Sequence, residues 1–210
     1  MAVSATNTDA SARSGTSTLT SVPIGTAFTG RVVVAYVESD VGSYTIGGVA
    51  ATATSVDTYG GRWIAAVVST GTTATIAASG ASFIFSYGVW SLSGDPSTTA
   101  AAVFDTAGSF SGSIAASDDS SVLGVVGDGG AGSPSWTSGL TNNGAVITDG
   151  FGSQWRDASV DIATAQTVNF TVTGSDPANI FILTAVNYAG SGGGGAVVVA
   201  KGSTMPMMGV

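Results

Sequence analysis

Short runs of β-branched and aromatic residues, closed off by glycine every few positions, leave this chain little room for helices and call for a strand-built fold. Val32-Val33-Val34-Ala35-Tyr36-Val37, Trp63-Ile64-Ala65-Ala66-Val67-Val68, Phe83 to Trp90 and Ile180 to Val186 are apolar throughout and of strand length, so they read as buried strands. Thr167 to Thr173 instead alternates, with Val168, Phe170 and Val172 on one face and hydroxyl and amide side chains on the other, the pattern of a half-solvated strand. Turn punctuation recurs at Gly47-Gly48, Gly60-Gly61, Ser79-Gly80, Ser93-Gly94, Gly127 to Gly132, Asn143-Gly144 and Gly174.

The first half of the chain can be laid on the second with an offset of about 90 residues. Val32 to Tyr36 falls on Val122 to Val126, and Tyr44-Thr45-Ile46-Gly47 falls on Trp136-Thr137-Ser138-Gly139. From Tyr44 to Trp63 is 19 positions, and from Trp136 to Trp155 is again 19. Ahead of each second tryptophan stands a related turn, Tyr59-Gly60-Gly61-Arg62 against Phe151-Gly152-Ser153-Gln154, and an alternating strand and an aromatic strand close each half. Two copies of one antiparallel unit burying their apolar faces together predict an all-β protein, a two-layer antiparallel β-sandwich with an internal pseudo-repeat, jelly-roll-like or immunoglobulin-like in strand order. The expected division is a polar N-terminal arm over 1–16, a sandwich over 17–189 with repeats at about 31–94 and 121–190, a Gly-rich linker over 190–195 and an apolar peptide over 196–210. Val33, Trp63, Phe85, Trp90, Val125, Trp155, Phe170 and Ile182 are the expected core.

Charge and chemistry narrow the function. Five Lys and Arg stand against 13 Asp and Glu, a formal charge of −8, so a nucleic-acid partner, which needs clustered cations, is excluded. Histidine and cysteine are both absent, which removes thiolate chemistry, the usual zinc ligand sets and the commonest acid/base residue. Glu38 is the single glutamate, and Asp118, Asp119, Asp128, Asp149, Asp157 and Asp161 form no recognisable catalytic pair or calcium loop. The expectation is a chain that is not an enzyme and takes no metal or other cofactor. Met1 to Thr20 shows no apolar signal-peptide core, and no apolar stretch is long enough to insert in a membrane, so synthesis in a host cytoplasm is expected.

Two sets of residues stand out as contact sites. Tyr59, beside two glycines, and Trp136, in a Ser/Pro-rich loop, are placed to offer aromatic faces to a ligand such as a glycan. Beyond the linker, Val197, Val198, Val199, Met205, Met207 and Met208 make the terminal peptide too apolar for a free tail, which points to docking on another protein by strand addition. Six such side chains at about 1.5–3 kcal/mol each compete with an association cost of roughly 4–15 kcal/mol. Several tails acting together in a homo-oligomer, such as a trimer, would therefore hold far better than one.

A Met-initiated, Cys-free, weakly charged β-sandwich ending in a glycine linker and an apolar peptide resembles the virion accessory proteins of tailed phages: capsid decoration proteins, head fibres and tail-tip adhesins. The resemblance covers the whole chain in composition and organisation. It implies a non-enzymatic body displayed on the virion surface, anchored to a major capsid or tail protein through residues 196–210. The alternative it implies is a fibre or tail-tip adhesin, a carbohydrate-binding module recognising host surface glycans.

Overall fold

A computed structural model describes residues 1–40, 42–55, 61–130 and 132–191, together with the backbone of one further strand at 198–201. The first half of the chain contains β1 (Ser4–Asp9), β2 (Arg13–Gly15), β3 (Thr18–Pro23), β4 (Val32–Ser39), β5 (Ser43–Ile46), β6 (Val49–Ala50), β7 (Thr52–Ser55), β8 (Gly61–Val67), β9 (Thr73–Ser79) and β10 (Ile84–Ser93). The second contains β11 (Ala102–Thr106), β12 (Ser111–Ala116), β13 (Ser120–Asp128), β14 (Ser135–Ser138), β15 (Thr141–Asn142), β16 (Ile147–Thr148), β17 (Gln154–Ile162), β18 (Gln166–Thr173) and β19 (Ile180–Tyr188), and β20 (Val198–Lys201) follows. Helical structure among the described residues is one 3-10 turn, Pro177–Asn179, capped by the Asp176 side chain.

The expected all-β sandwich is present, and its strand order is that of a jelly roll. In the first half, the sheet β1-β10-β4-β8 faces the sheet β3-β9-β5-β6, the interleaved order of an eight-stranded jelly roll, with β7 added outside β8 and β2 paired to β10. The second half repeats it: β11-β19-β13-β17, with β15 and β16 outside β17, faces β12-β18-β14. Each copy thus forms its own two-sheet sandwich, so the molecule has four layers rather than two. Val33, Ala35 and Ile64 meet Leu19, Ile46 and Ile76 in the first sandwich, and Val122, Val126 and Leu183 meet Ile114, Trp136 and Phe170 in the second. The two large sheets then pack back to back through Tyr36, Trp63, Trp90, Trp155, Ile182 and Tyr188.

This layering explains the two kinds of strand in the sequence. The strands β4, β8, β10, β13, β17 and β19 lie in the middle layers with protein on both faces, so they need apolar residues continuously. The outer strands β9 and β18 face water on one side, and their burial alternates residue by residue. Where one middle strand must keep large rings on the seam, a bulge resets its parity. The register of β10 against β4 shifts between Ser86 and Gly88, so Tyr87 and, three residues on, Trp90 both face the seam while Val89 faces the first sandwich.

Three expectations need correction. Residues 1–16 are not a separate arm: β1 is the first strand of the first jelly roll and β2 pairs with the far end of β10. The repeats are accordingly wider, running from Val3 to Ser93 and from Ala102 to Ala189. The alignment of Val32 on Val122 is also one residue short. Tyr36 lies opposite Trp63 and Gly127 lies opposite Trp155, so Tyr36 corresponds to Gly127; a slip of one would exchange the two faces of the strand. Trp63 and Trp155 do occupy equivalent strands, both on the seam. The core residues named above are buried, except that Phe85 is only partly so.

Candidate functional site

Polar clasps hold the seam in register and decide what lies at its rim. Asp161 on β17 accepts hydrogen bonds from the Ser4 hydroxyl at 2.6 Å, the Ala5 amide at 3.0 Å and the Ser121 hydroxyl at 2.6 Å. Two residues earlier, on the same face of β17, the buried Asp157 carboxylate accepts from the Asn7 amide. Burial pushes the Asp157 carboxyl up to about 7, against the opposing pull of hydrogen bonds and of Arg156. Trp63 donates its indole N–H across the seam to the Thr184 hydroxyl at 3.1 Å, which itself donates to the Phe104 carbonyl at 2.9 Å. Every one of these contacts but the last joins the first copy to the second or braces that join.

From this seam a line of aromatic rings runs to the surface. Tyr87 stacks on Trp155 with centroids 3.6 Å apart and planes 8° from parallel. Phe85, two residues along β10, lies 6.4 Å from Tyr87 and is flanked by Phe83 at 5.6 Å and by Phe151 at 5.8 Å, edge to face. Phe151 itself is 79% exposed. Between β2 and the loop that joins β16 to β17 lies a groove of about 470 Å³, lined by Ala12, Arg13, Ser14, Phe85, Thr148 and Phe151 among others. Its walls come from both jelly rolls, so the groove exists only where the copies meet.

The loop carrying Phe151 is braced by one carboxylate. Asp149 Oδ1 accepts from the Phe151 amide at 2.8 Å and the Ser153 amide at 2.9 Å, and Oδ2 accepts from the Trp155 indole N–H at 2.9 Å. Backbone bonds from Asp149 to the Ser153 carbonyl and from Gly152 to the Asp149 carbonyl close the turn, and Gly152 takes the left-handed φ of +89° that the closure needs. Across the groove Arg13 gives its Nε to Asp9, and among the described residues its two amino groups remain as donors on the rim. Ser14, Thr16 and Thr148 are exposed beside it. Aromatic faces flanked by hydroxyl and guanidinium donors suit a ligand that has an apolar face and a polar edge.

Trp136 is not at this site or at any surface. It is 4% exposed, its ring meets Phe170 edge to face at 5.3 Å, and it stands where Tyr44 stands in the first sandwich. The Ser/Pro-rich stretch before it thus ends at a core strand. Tyr59 lies outside the described residues, as do Val197, Met205, Met207 and Met208. Val198 and Val199 lie on β20, which pairs in parallel with β11, Val198 opposite Ala102 and Lys201 opposite Asp105. The strand addition expected of this segment is therefore made here to the chain's own sheet edge.

The carboxylates weighed as catalytic or calcium ligands are structural. Asp128 ties two loops together by accepting from the Gly130 amide, the Ser175 amide and the Ser175 hydroxyl at 2.6–2.8 Å, and Asp118 holds the Ala165 amide. Among the described residues no three His, Cys, Asp or Glu side chains gather as metal ligands. Sequence reasoning passed over Phe151, although a large apolar residue between two glycines in a turn was a readable signal of a ring held outward. It also passed over Arg31, which is fully buried and donates to the carbonyls of Ile24, Gly25, Val68, Thr70 and Gly71 at 2.7–3.1 Å, knotting three segments at one end of the first sandwich. No family model, curated protein or solved structure matches this chain.

Proposed function

We propose that this protein is a non-enzymatic structural component of a phage particle, displayed outside the capsid and anchored through its C-terminal peptide. The observation that carries the reading is the pairing of Val198–Lys201 with the edge strand β11. An edge strand offers a row of unpaired N–H and C=O groups, and a short apolar segment beyond a glycine linker is suited to fill such an edge. With a root-mean-square reach of roughly 13 Å for six flexible residues, the same segment can fill an equivalent edge on a neighbouring protein of the particle. A body of four tightly packed layers with little surface charge suits passive display. Truncation after Ser191, where the Ser191 amide still bonds Asp95, tests the reading. The shortened protein is expected to keep its far-UV spectrum and melting temperature but to be missing from assembled particles. Incorporation equal to that of the full chain would refute the anchoring role.

A second reading, a glycan-binding adhesin, is favoured by one specific observation: the preformed aromatic groove at the seam, with Phe151 held out into solvent. The two readings are compatible in a displayed fibre or decoration protein.

A further inference from the structure

We infer that the groove between β2 and the Asp149–Ser153 loop is a binding site for a neutral, hexose-containing glycan, with Phe151 and Phe85 as its stacking platform. The inference deepens the adhesin reading and rests on it. A large apolar side chain left 79% exposed forfeits its burial energy, yet this loop is not loose: three acceptor bonds to the Asp149 carboxylate fix the backbone on either side of the ring. A ring presented at that cost and held still is preorganised for a partner. The groove's opposite wall supplies hydroxyls at Ser14, Thr16 and Thr148 and the open amino groups of Arg13. A pyranose matches both, since its axial C–H face packs on an aromatic ring while its equatorial hydroxyls reach donors at the edge.

Charge selects among glycans. Arg13 is already paired with Asp9, Asp149 lies on the opposite wall, and the chain as a whole carries a formal −8. A sialylated or uronic-acid ligand would meet net repulsion, whereas a neutral sugar meets none.

The test begins with the full-length protein on an array holding neutral oligosaccharides and their sialylated counterparts, followed by calorimetric titration of the strongest neutral trisaccharide. Phe151→Ala should weaken that binding at least tenfold with an unchanged melting temperature, because the side chain is mostly exposed, and Phe151→Trp should restore it. Undiminished binding by Phe151→Ala would overturn this site while leaving the adhesin reading standing. No binding of any glycan by the parent protein would overturn both. Binding restricted to the sialylated set would overturn the neutral class.

Discussion

Asp157 is the residue whose environment departs most from its ordinary chemistry. It sits at 0% exposure on the seam face of β17, and burial raises its carboxyl from the model value of 3.8 to about 7. Gly88 lies so close that an added Cβ there would stand 3.2 Å from the Asp157 Cβ and 2.6 Å from the Trp90 ring, so packing leaves no room for water to relieve the charge. Between pH 4 and 7 the folded protein therefore keeps a proton that the unfolded chain releases. The sign follows from linkage: stability from this group is fully present below the unfolded value and is lost as pH rises toward the folded one. The loss at pH 8 is on the order of 3–4 kcal/mol at about 1.4 kcal/mol for each pH unit. Asp157→Asn, which keeps an acceptor for Asn7, should abolish this dependence. Denaturant midpoints of the two proteins should nearly coincide at pH 4 and diverge at pH 8 with the variant more stable; equal midpoints at pH 8 would show that the carboxylate ionises without strain.

At the scale of elements, most of the strands were legible because local composition and burial agree. The alternating run at Thr167 to Thr173 is an outer strand, and the apolar runs at Val32, Trp63, Phe83 and Ile180 are middle ones. The recurrent spacing of Tyr44 with Trp63 and Trp136 with Trp155 marked the duplication correctly, since all four rings are buried on equivalent strands. What the sequence hid was the partner of each face. A continuous apolar strand looks the same whether one sheet or two sheets cover it, so the four-layer stack and the burial of Trp136 had no local signature. Nor did β1, whose polar residues Ser4, Thr6 and Asn7 pair through the backbone and clasp Asp157 and Asp161 rather than through apolar contact. The groove was hidden for the same reason, because its two walls are far apart in the chain. Glycine in a middle strand marks where a ring from the outer sheet comes close. Gly124 on β13 is such a point, for an added Cβ would stand 2.6 Å from Trp136 Cη2 and 2.7 Å from Leu140 Cδ2. Gly124→Ala should cost about 1–3 kcal/mol by overpacking, read as a lower unfolding midpoint with unchanged strand content, and the cost should shrink when Leu140→Ala is added to make space.

For the whole molecule, the seam is what turns two sandwiches into one body. Each jelly roll has its own internal core, but its large sheet presents a second apolar face, with Tyr36, Trp63, Trp90 and Leu92 from the first copy meeting Leu123, Trp155, Ile182 and Tyr188 from the second. Aromatic side chains of this kind bury about 150–250 Å² each, so either copy alone would expose a patch larger than soluble monomers tolerate. Duplication supplied the cover: the equivalent face of a second copy, already matched in strand spacing and twist. Divergence then fitted the two faces together. The position of the Tyr36 ring is occupied in the second copy by Gly127, where an added Cβ would come within 2.7 Å of the Phe181 ring, so one copy gives the ring and the other the space for a different one. The fragment 1–99, which contains all strands of the first jelly roll, should consequently fold its inner core yet fail to remain a monomer. Light scattering after size exclusion is expected to show dimers or larger species, and co-expression with 100–210 should replace them with a one-to-one complex of the two fragments. A stable monomer of 1–99 with native strand content would mean that the seam joins two independent domains and that the exposed face needs no partner.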